Sequence, residues 1–396
     1  MKIGIDCRMY STYYGIGRYT HELVTRILKL NETLKNPHDF VLFFNSPEFE
    51  NFDEKAFPHA KKILVNAGHY SLKEQTTFLK ALYKENLDTI HFTHFNIPYF
   101  YNRPFTVTIH DLTLSLFPGQ KMNKFYHRLA YNLTVSHAVK KAKRIISVST
   151  YTKNDLIRFM KADPKKIFVT HLGVSDDFTF INDANLLTPT LKKFGLNHKQ
   201  FLLYAGVWRS HKNIPRLIEA FAILKEKTAK PLKLVLTGKP DPLYKEVPDT
   251  IKALHLEKDV ILTGSVSNEE LSHLYNAAFI FTFPSLYEGF GLPPLESMKC
   301  GTPVVASFAS SLPEVLKENA VYFDPYDTSD IAQKIESLAS DADRQADLVE
   351  KGFAHANSFS WERMSKKSFD IITGNVGTFS KIRNTRIQAF WRFQGA

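Results

Sequence analysis

Cysteine is nearly absent: 396 residues carry two, Cys7 and Cys300. Two thiols build no disulfide framework and read as small buried hydrophobes, which suits a reducing compartment. No apolar run approaches the roughly 20 residues that cross a bilayer. The chain opens straight into a strand-like Lys2-Ile3-Gly4-Ile5-Asp6 with no apolar signal core before it. The expected location is the cytosol, or a peripheral position at the inner face of the plasma membrane. Internal repeats and low-complexity tracts are missing too, which excludes solenoids and propellers. Acid is missing from two stretches, Leu112 to Asn154 and everything after Asp370, and these hold twelve of the 51 basic residues. The net charge of +11 is therefore local. No nucleic-acid-binding module accompanies it, so nucleic acid is not an expected partner.

What is present is the composition of a soluble globular protein, 44% apolar and 23% charged, in a chain long enough for two domains. Short apolar strands alternate with helical patterns, which predicts an α/β fold with doubly wound parallel sheets. Strands are expected near Lys2 to Asp6, Phe40 to Phe44, Ile63 to Val65, Thr89 to Phe92, Thr106 to His110, Arg144 to Val148 and Ile167 to Thr170. A second set starts at Phe201 to Gly206 and continues with Leu232 to Leu236 and Val260 to Thr263. The expected boundaries are an acceptor domain over 1–185, a donor domain over 195–357, a helix over 358–375 returning to the first domain, and a basic tail over 376–396. Residues Ile181 to Thr190, rich in Asn, Asp, Thr and Pro, read as the linker.

The most informative stretch runs from Phe281 to Ala306: strand, glycine turn, short helix, strand. Pro284 closes the first strand, Gly289 and Gly291 supply a tight loop, Pro293 sits in the first helical turn, and Gly301 ends the helix. The amides of Phe290, Gly291 and Leu292 then lie at a helix N-terminus, which favours an anion. Glu288 precedes the loop and Glu296, separated from it by seven residues, is expected in the first turn. Carboxylates would repel a phosphate, so they suit hydroxyls of the same ligand, and a sugar nucleotide has both groups. Upstream, Arg209-Ser210-His211-Lys212-Asn213 places two cations before a helix expected to be capped by Asn213, a second phosphate site.

The stretch Pro284-Ser285-Leu286-Tyr287-Glu288-Gly289-Phe290-Gly291-Leu292-Pro293, followed by Gly301-Thr302-Pro303-Val304-Val305, resembles the signature of retaining GT-B glycosyltransferases of family 4, also called glycosyltransferase group 1. The likeness continues through Ser310-Ser311-Leu312-Pro313-Glu314-Val315 and Tyr322-Phe323-Asp324-Pro325 and covers residues 1 to about 372. It implies two Rossmann-like domains facing across a cleft, with a nucleotide-sugar donor and a glycan or lipid-linked acceptor as partners. It also implies retention of anomeric configuration, the diphosphate of the donor taking the acceptor proton. Arg209, Lys212 and the amides of Phe290, Gly291 and Leu292 would hold the diphosphate, Glu288 the sugar, Glu296 the ribose, and the backbone at Val266 the base. Gly15 and Gly17, in Tyr14-Gly15-Ile16-Gly17-Arg18-Tyr19, would let a loop approach the donor phosphates and the acceptor. A third glycine is replaced by Thr20, so a nicotinamide fingerprint is not expected. This opening is similar to mannosyltransferases that use GDP-mannose.

His110, ending the strand Val107-Thr108-Ile109, would lie against the donor sugar by the same resemblance. Asp111 reads as a cap. No metal or other cofactor is expected, because cations and helix ends would take a metal's role, and Asp341-Ala342-Asp343 reads as a solvated cap. Lys121, Lys124 and Arg128, among Phe125, Tyr126, Leu129, Tyr131 and Leu133, form either an acceptor or anionic-membrane face or an outer helix whose aromatics are core. Two rival readings stand beside glycosyl transfer: a glycoside hydrolase with Glu288 and Glu296 as its acid pair, and a catalytically silent binding protein of the same fold.

Overall fold

The computed structural model describes residues 1–12, 15–119, 125–227 and 231–376. Two all-parallel sheets form, each wrapped by helices. The first holds β1 (Lys2–Asp6), β2 (Asp39–Phe44), β3 (Ala60–Leu64), β4 (Thr89–Phe92), β5 (Phe105–Ile109), β6 (Arg144–Ser147) and β7 (Ile167–Val169). Their order is β3-β2-β1-β4-β5-β6-β7. The second holds β8 (Phe201–Ala205), β9 (Lys233–Thr237), β10 (Val260–Gly264), β11 (Ile280–Phe283), β12 (Val304–Ser307) and β13 (Val321–Phe323), in the order β10-β9-β8-β11-β12-β13. Central strands such as β5 and β8 are buried along their whole length, as strands covered on both faces must be, and this is why they read as continuous apolar runs. Strand β3 starts three residues before the expected Ile63 because it is an edge: Lys61 is exposed and Lys62 half-buried, and these charges hide its pattern.

Each order reverses once, between β1 and β4 and between β8 and β11. Loops leaving neighbouring strands at such a point run to opposite faces and open a crevice beyond the carboxyl ends of the strands. The molecule has two such crevices.

The chain crosses between lobes twice. The segment read as a linker is structured: a 3-10 turn, Ala184–Leu187, runs into the helix Thr188–Phe194. Its flanks are tied to the second lobe, where Ile181 N–H donates to Asn276 Oδ1 at 2.8 Å and Thr190 Oγ1 lies 2.8 Å from His273 Nδ1. The return is the helix Trp361–Thr373, capped by Ser360, which packs on the helix Gly15–Glu32 and buries Trp361, Met364, Phe369 and Ile372. Gly173 permits the crossing, since a Cβ there would sit 2.2 Å from Trp361 N. Among the described residues no helix is long and apolar enough to cross a membrane.

Candidate functional site

At the β8/β11 crevice the chain leaves β8 through a 3-10 turn, Ser210–Lys212, and leaves β11 through the loop 284–291. Leu286 N–H donates to the His211 carbonyl at 2.7 Å and fastens the two. Lys212 Nζ donates to Glu288 Oε1 at 2.5 Å, each side chain 13% exposed, and the ammonium also sits over the Phe283 ring. Two residues predicted to hold different parts of one ligand thus hold each other. Arg209 has other partners: its Nη1 donates to the Trp208 carbonyl and to Asp241 Oδ2, and its guanidinium lies over Tyr244. Burial, with Lys212 beside it, pushes the His211 imidazole down to about 4, so it is neutral. Asn213 does not cap the following helix with its side chain. At φ 57° it turns its amide into the protein, where Nδ2 donates to the carbonyls of Pro284 and Pro325 and Oδ1 accepts from Arg216.

The helix after the loop is Leu292–Lys299, entered through Gly291 at φ 93° with no side-chain cap. Its bare N-terminus is where the sequence places it. Two serines brace the approach: Ser310 Oγ accepts from Glu288 N–H at 2.9 Å, and Ser311 Oγ donates to the carbonyls of Glu288 and Phe290. Neither was assigned a role above, although both lie inside the matching motif. Glu296 is not in the first turn; it is the helix's fifth residue, buried, accepting from Tyr275 Oη at 3.0 Å. Burial pushes its carboxyl up to about 7, partly offset by Arg18 and the Tyr275 hydroxyl. Val266 lines an interlobe cavity of about 390 Å³ together with Ser267, Asn268, Arg18 and Asp177.

The first lobe meets this loop backbone to backbone. A Cβ on Gly289 would lie 2.0 Å from the His110 carbonyl oxygen, so only glycine fits. His110 Nε2–H donates to the Thr93 carbonyl at 2.9 Å, its ring packs edge-on against Tyr19, and burial holds it below the usual histidine range. That bond protonates Nε2 and leaves Nδ1 as an acceptor. Asp111 accepts from Thr113 N–H, as expected of a cap. Tyr287 Oη donates to Asp155 at 2.6 Å and accepts from Leu112 N–H. Glu314 reaches across from the second lobe and accepts from the amides of Thr150 and Tyr151 at 2.7 and 2.8 Å, and from His171. It fills the N-terminus of the helix Thr150–Met160 with negative charge. Burial raises its carboxyl, but His171 and the two amides outweigh that and hold it below the ordinary range.

Gly15 begins its helix at φ 59° with open space around it. Gly17 faces inward: a Cβ would collide with Ser11 at 2.7 Å, so the chain's own loop requires its smallness. Arg128 is exposed on the helix Phe125–Lys141, and Phe125, Leu129 and Leu133 point outward with it while Tyr131 is buried. Lys121 and Lys124 lie outside the described residues, as does all but the first residue of the basic tail. Asp341 caps the helix Ala342–Asn357. Among the described residues no cluster of three His, Cys, Asp or Glu side chains could hold a metal.

Comparison with known proteins follows this geometry. The model of glycosyltransferase family 4 matches residues 13–178, and that of glycosyl transferases group 1 matches 190–355. An O-antigen chain mannosyltransferase B of Escherichia coli is 32% identical over 90% of this chain and 95% of its own. The O-antigen chain mannosyltransferase RfbU of Salmonella typhimurium is 28% identical over 62% of this chain and 63% of its own. Among solved structures, a sucrose-phosphate synthase from Thermosynechococcus elongatus superposes with a TM-score of 0.74 at 20% identity, covering 94% of this chain and 98% of that one. WaaG, a glycosyltransferase involved in lipopolysaccharide biosynthesis, gives 0.71 at 15% identity, covering 94% and 100%. The hydrolase alternative finds no support, and Glu288 and Glu296, engaged by Lys212 and Tyr275, form no acid pair with each other. Two facing parallel-sheet lobes, the signature loop at the crevice of the second and these matches over both halves make the chain a member of the GT-B glycosyltransferases of family 4.

Proposed function

We propose that this glycosyltransferase moves mannose from a nucleoside-diphosphate sugar, GDP-mannose as the leading donor, to a glycan or lipid-linked acceptor, with retention and without a metal. The observation that carries the reading is the Lys212–Glu288 pair beside the uncapped N-terminus of the helix Leu292–Lys299. A diphosphate arriving there attracts Lys212 away from Glu288, which is then released to accept hydrogen bonds from the sugar. The relatives' names supply the choice of mannose.

In the reaction the bond between the anomeric carbon and the β-phosphate oxygen breaks, and its electron pair stays on the diphosphate. Lys212, Arg209 once it leaves Asp241, and the amides of Phe290, Gly291 and Leu292 stabilise that charge as it grows. The acceptor oxygen bonds to the anomeric carbon on the same face, and its proton passes to the departing phosphate. His110, held below the usual histidine range by burial and tied to Thr93, orients the sugar. Glu296 takes the ribose, and Val266 with Gly15 flanks the nucleotide. The outward Phe125, Leu129 and Leu133 with Arg128 suit an anionic membrane that carries a lipid-linked acceptor. Thermal-shift titration in EDTA with GDP, UDP, ADP and their sugars tests the donor: a shift with GDP and GDP-mannose is expected, and none with any nucleotide would overturn the proposal.

A further inference from the structure

The loop that carries Glu288 is gripped from one side by three hydroxyls of the segment that leaves β12. Ser307 Oγ donates to the Ser285 carbonyl, and Ser311 Oγ donates to the carbonyls of Glu288 and Phe290 at 3.0 and 3.1 Å. Ser310 works the other way: its Oγ accepts from Glu288 N–H at 2.9 Å. The peptide units on both sides of the Glu288 Cα are therefore held, one by Ser310 and the other by Ser311. Ser310 does this from φ 52°, in the left-handed region that a side chain avoids and that Asn, Asp and His enter more readily than Ser. Asn213, at φ 57° beside the same crevice, is of the tolerant kind. Glycine would take this conformation at no steric cost, and packing does not demand a serine, because Ser310 is only half-buried. A residue kept in a disfavoured conformation is over-determined by its surroundings, and such residues gather at functional sites. What serine supplies here and glycine lacks is the acceptor for the Glu288 amide.

We infer that Ser310 is a positioning residue, held in a strained backbone conformation so that its hydroxyl fixes the main chain of Glu288 and thereby aims the carboxylate at the donor sugar. The inference rests on the glycosyl-transfer reading and adds what orients its sugar-binding group. Before a donor arrives, the Glu288 side chain is steadied by Lys212 at 2.5 Å. A diphosphate that draws Lys212 away removes that restraint when the carboxylate must meet the sugar. The serine bonds go to main chain and persist through this exchange, so the Glu288 Cα stays in place and only side-chain torsions remain to be set. A displacement of about 1 Å in such a group can cost about 100-fold in rate.

Calorimetric titration of the full chain with GDP-mannose and with GDP tests this without an acceptor, because only the sugar nucleotide offers Glu288 a ring to hold. Ser310→Gly removes hydroxyl and strain together, and the affinity for GDP-mannose relative to GDP should fall about tenfold. Its Tm should stay within about 2 °C of the parent, the relieved strain offsetting the lost bond. Ser310→Thr keeps the hydroxyl on a β-branched residue that suits a positive φ less well. It should recover most of the affinity ratio while lowering the Tm by about 2–4 °C. Hydrogen exchange of the peptide carrying Glu288, measured without ligand, should quicken about tenfold in Ser310→Gly and not in Ser310→Thr. An unchanged affinity ratio in Ser310→Gly, an equal loss of ratio in both variants, or unchanged exchange at Glu288 would overturn the inference. If the parent binds neither nucleotide, the donor reading falls and the exchange result alone decides this one.

Discussion

The two crevices of this enzyme are built alike and charged differently. In the second lobe Lys212 and Glu288 are each partly exposed and joined by one contact that an entering ligand can replace. In the first lobe Arg8 is sealed between Asp6 and Glu74, its side chain fully buried. One fold therefore offers a partly exposed ion pair at the proposed diphosphate site and a locked one where charge holds loops in place.

Removing the cation from each lobe breaks this comparison most directly. Arg8→Ala removes the guanidinium from two buried carboxylates and should cost about 3–5 kcal/mol of stability, read by urea denaturation. Lys212→Ala should leave the urea midpoint nearly unchanged and lower kcat by about 100- to 1,000-fold, the loss typical of one donor to developing anionic charge. Equal stability losses in the two variants would erase the distinction.

The charge on Glu296 sharpens it further. Its folded pKa, about 7 against an ordinary 4.5, means that the proton is held more tightly in the native state. The stability this contributes is complete below about pH 4.5 and is lost as pH rises through 7, an effect of about 3 kcal/mol by linkage. Glu296→Gln should flatten that part of the profile; an unchanged profile would exclude Glu296 as its source. Glu314 titrates the opposite way. Its stabilisation is present above the ordinary carboxyl range and fades as pH falls through its lowered pKa. Glu314→Ala should cost about 1–2 kcal/mol, a lost cap plus its charge, and should enlarge the radius of gyration in solution scattering. The smallest effect belongs to the outer face: Arg128→Glu should weaken sedimentation with anionic vesicles by a few-fold, about 1 kcal/mol per basic residue.

The parts legible in the sequence were those whose cause is local. Strand ends and the glycine loop follow from neighbours a few residues apart, and both are present. Glu296 was placed one turn early because Pro293 and Pro294 both suit a first turn, and the helix starts before them at Leu292. The alternative of core aromatics on the basic helix failed for Phe125 and held for Tyr131, a division no pattern of residue types could make. What stayed hidden was long-range. Arg8 meets Glu74 and Asn96 across 66 and 88 residues, and Glu314 meets Tyr151 across 163. Such pairs leave no trace in spacing, and the same is true of Lys212 and Glu288 turning toward each other.

At Gly289 the missing side chain brings main chain against main chain across the gap, so there is no cushion of rotatable groups between the halves of the molecule at that spot. Any rocking of the two halves would then find its fulcrum under the loop that carries Glu288.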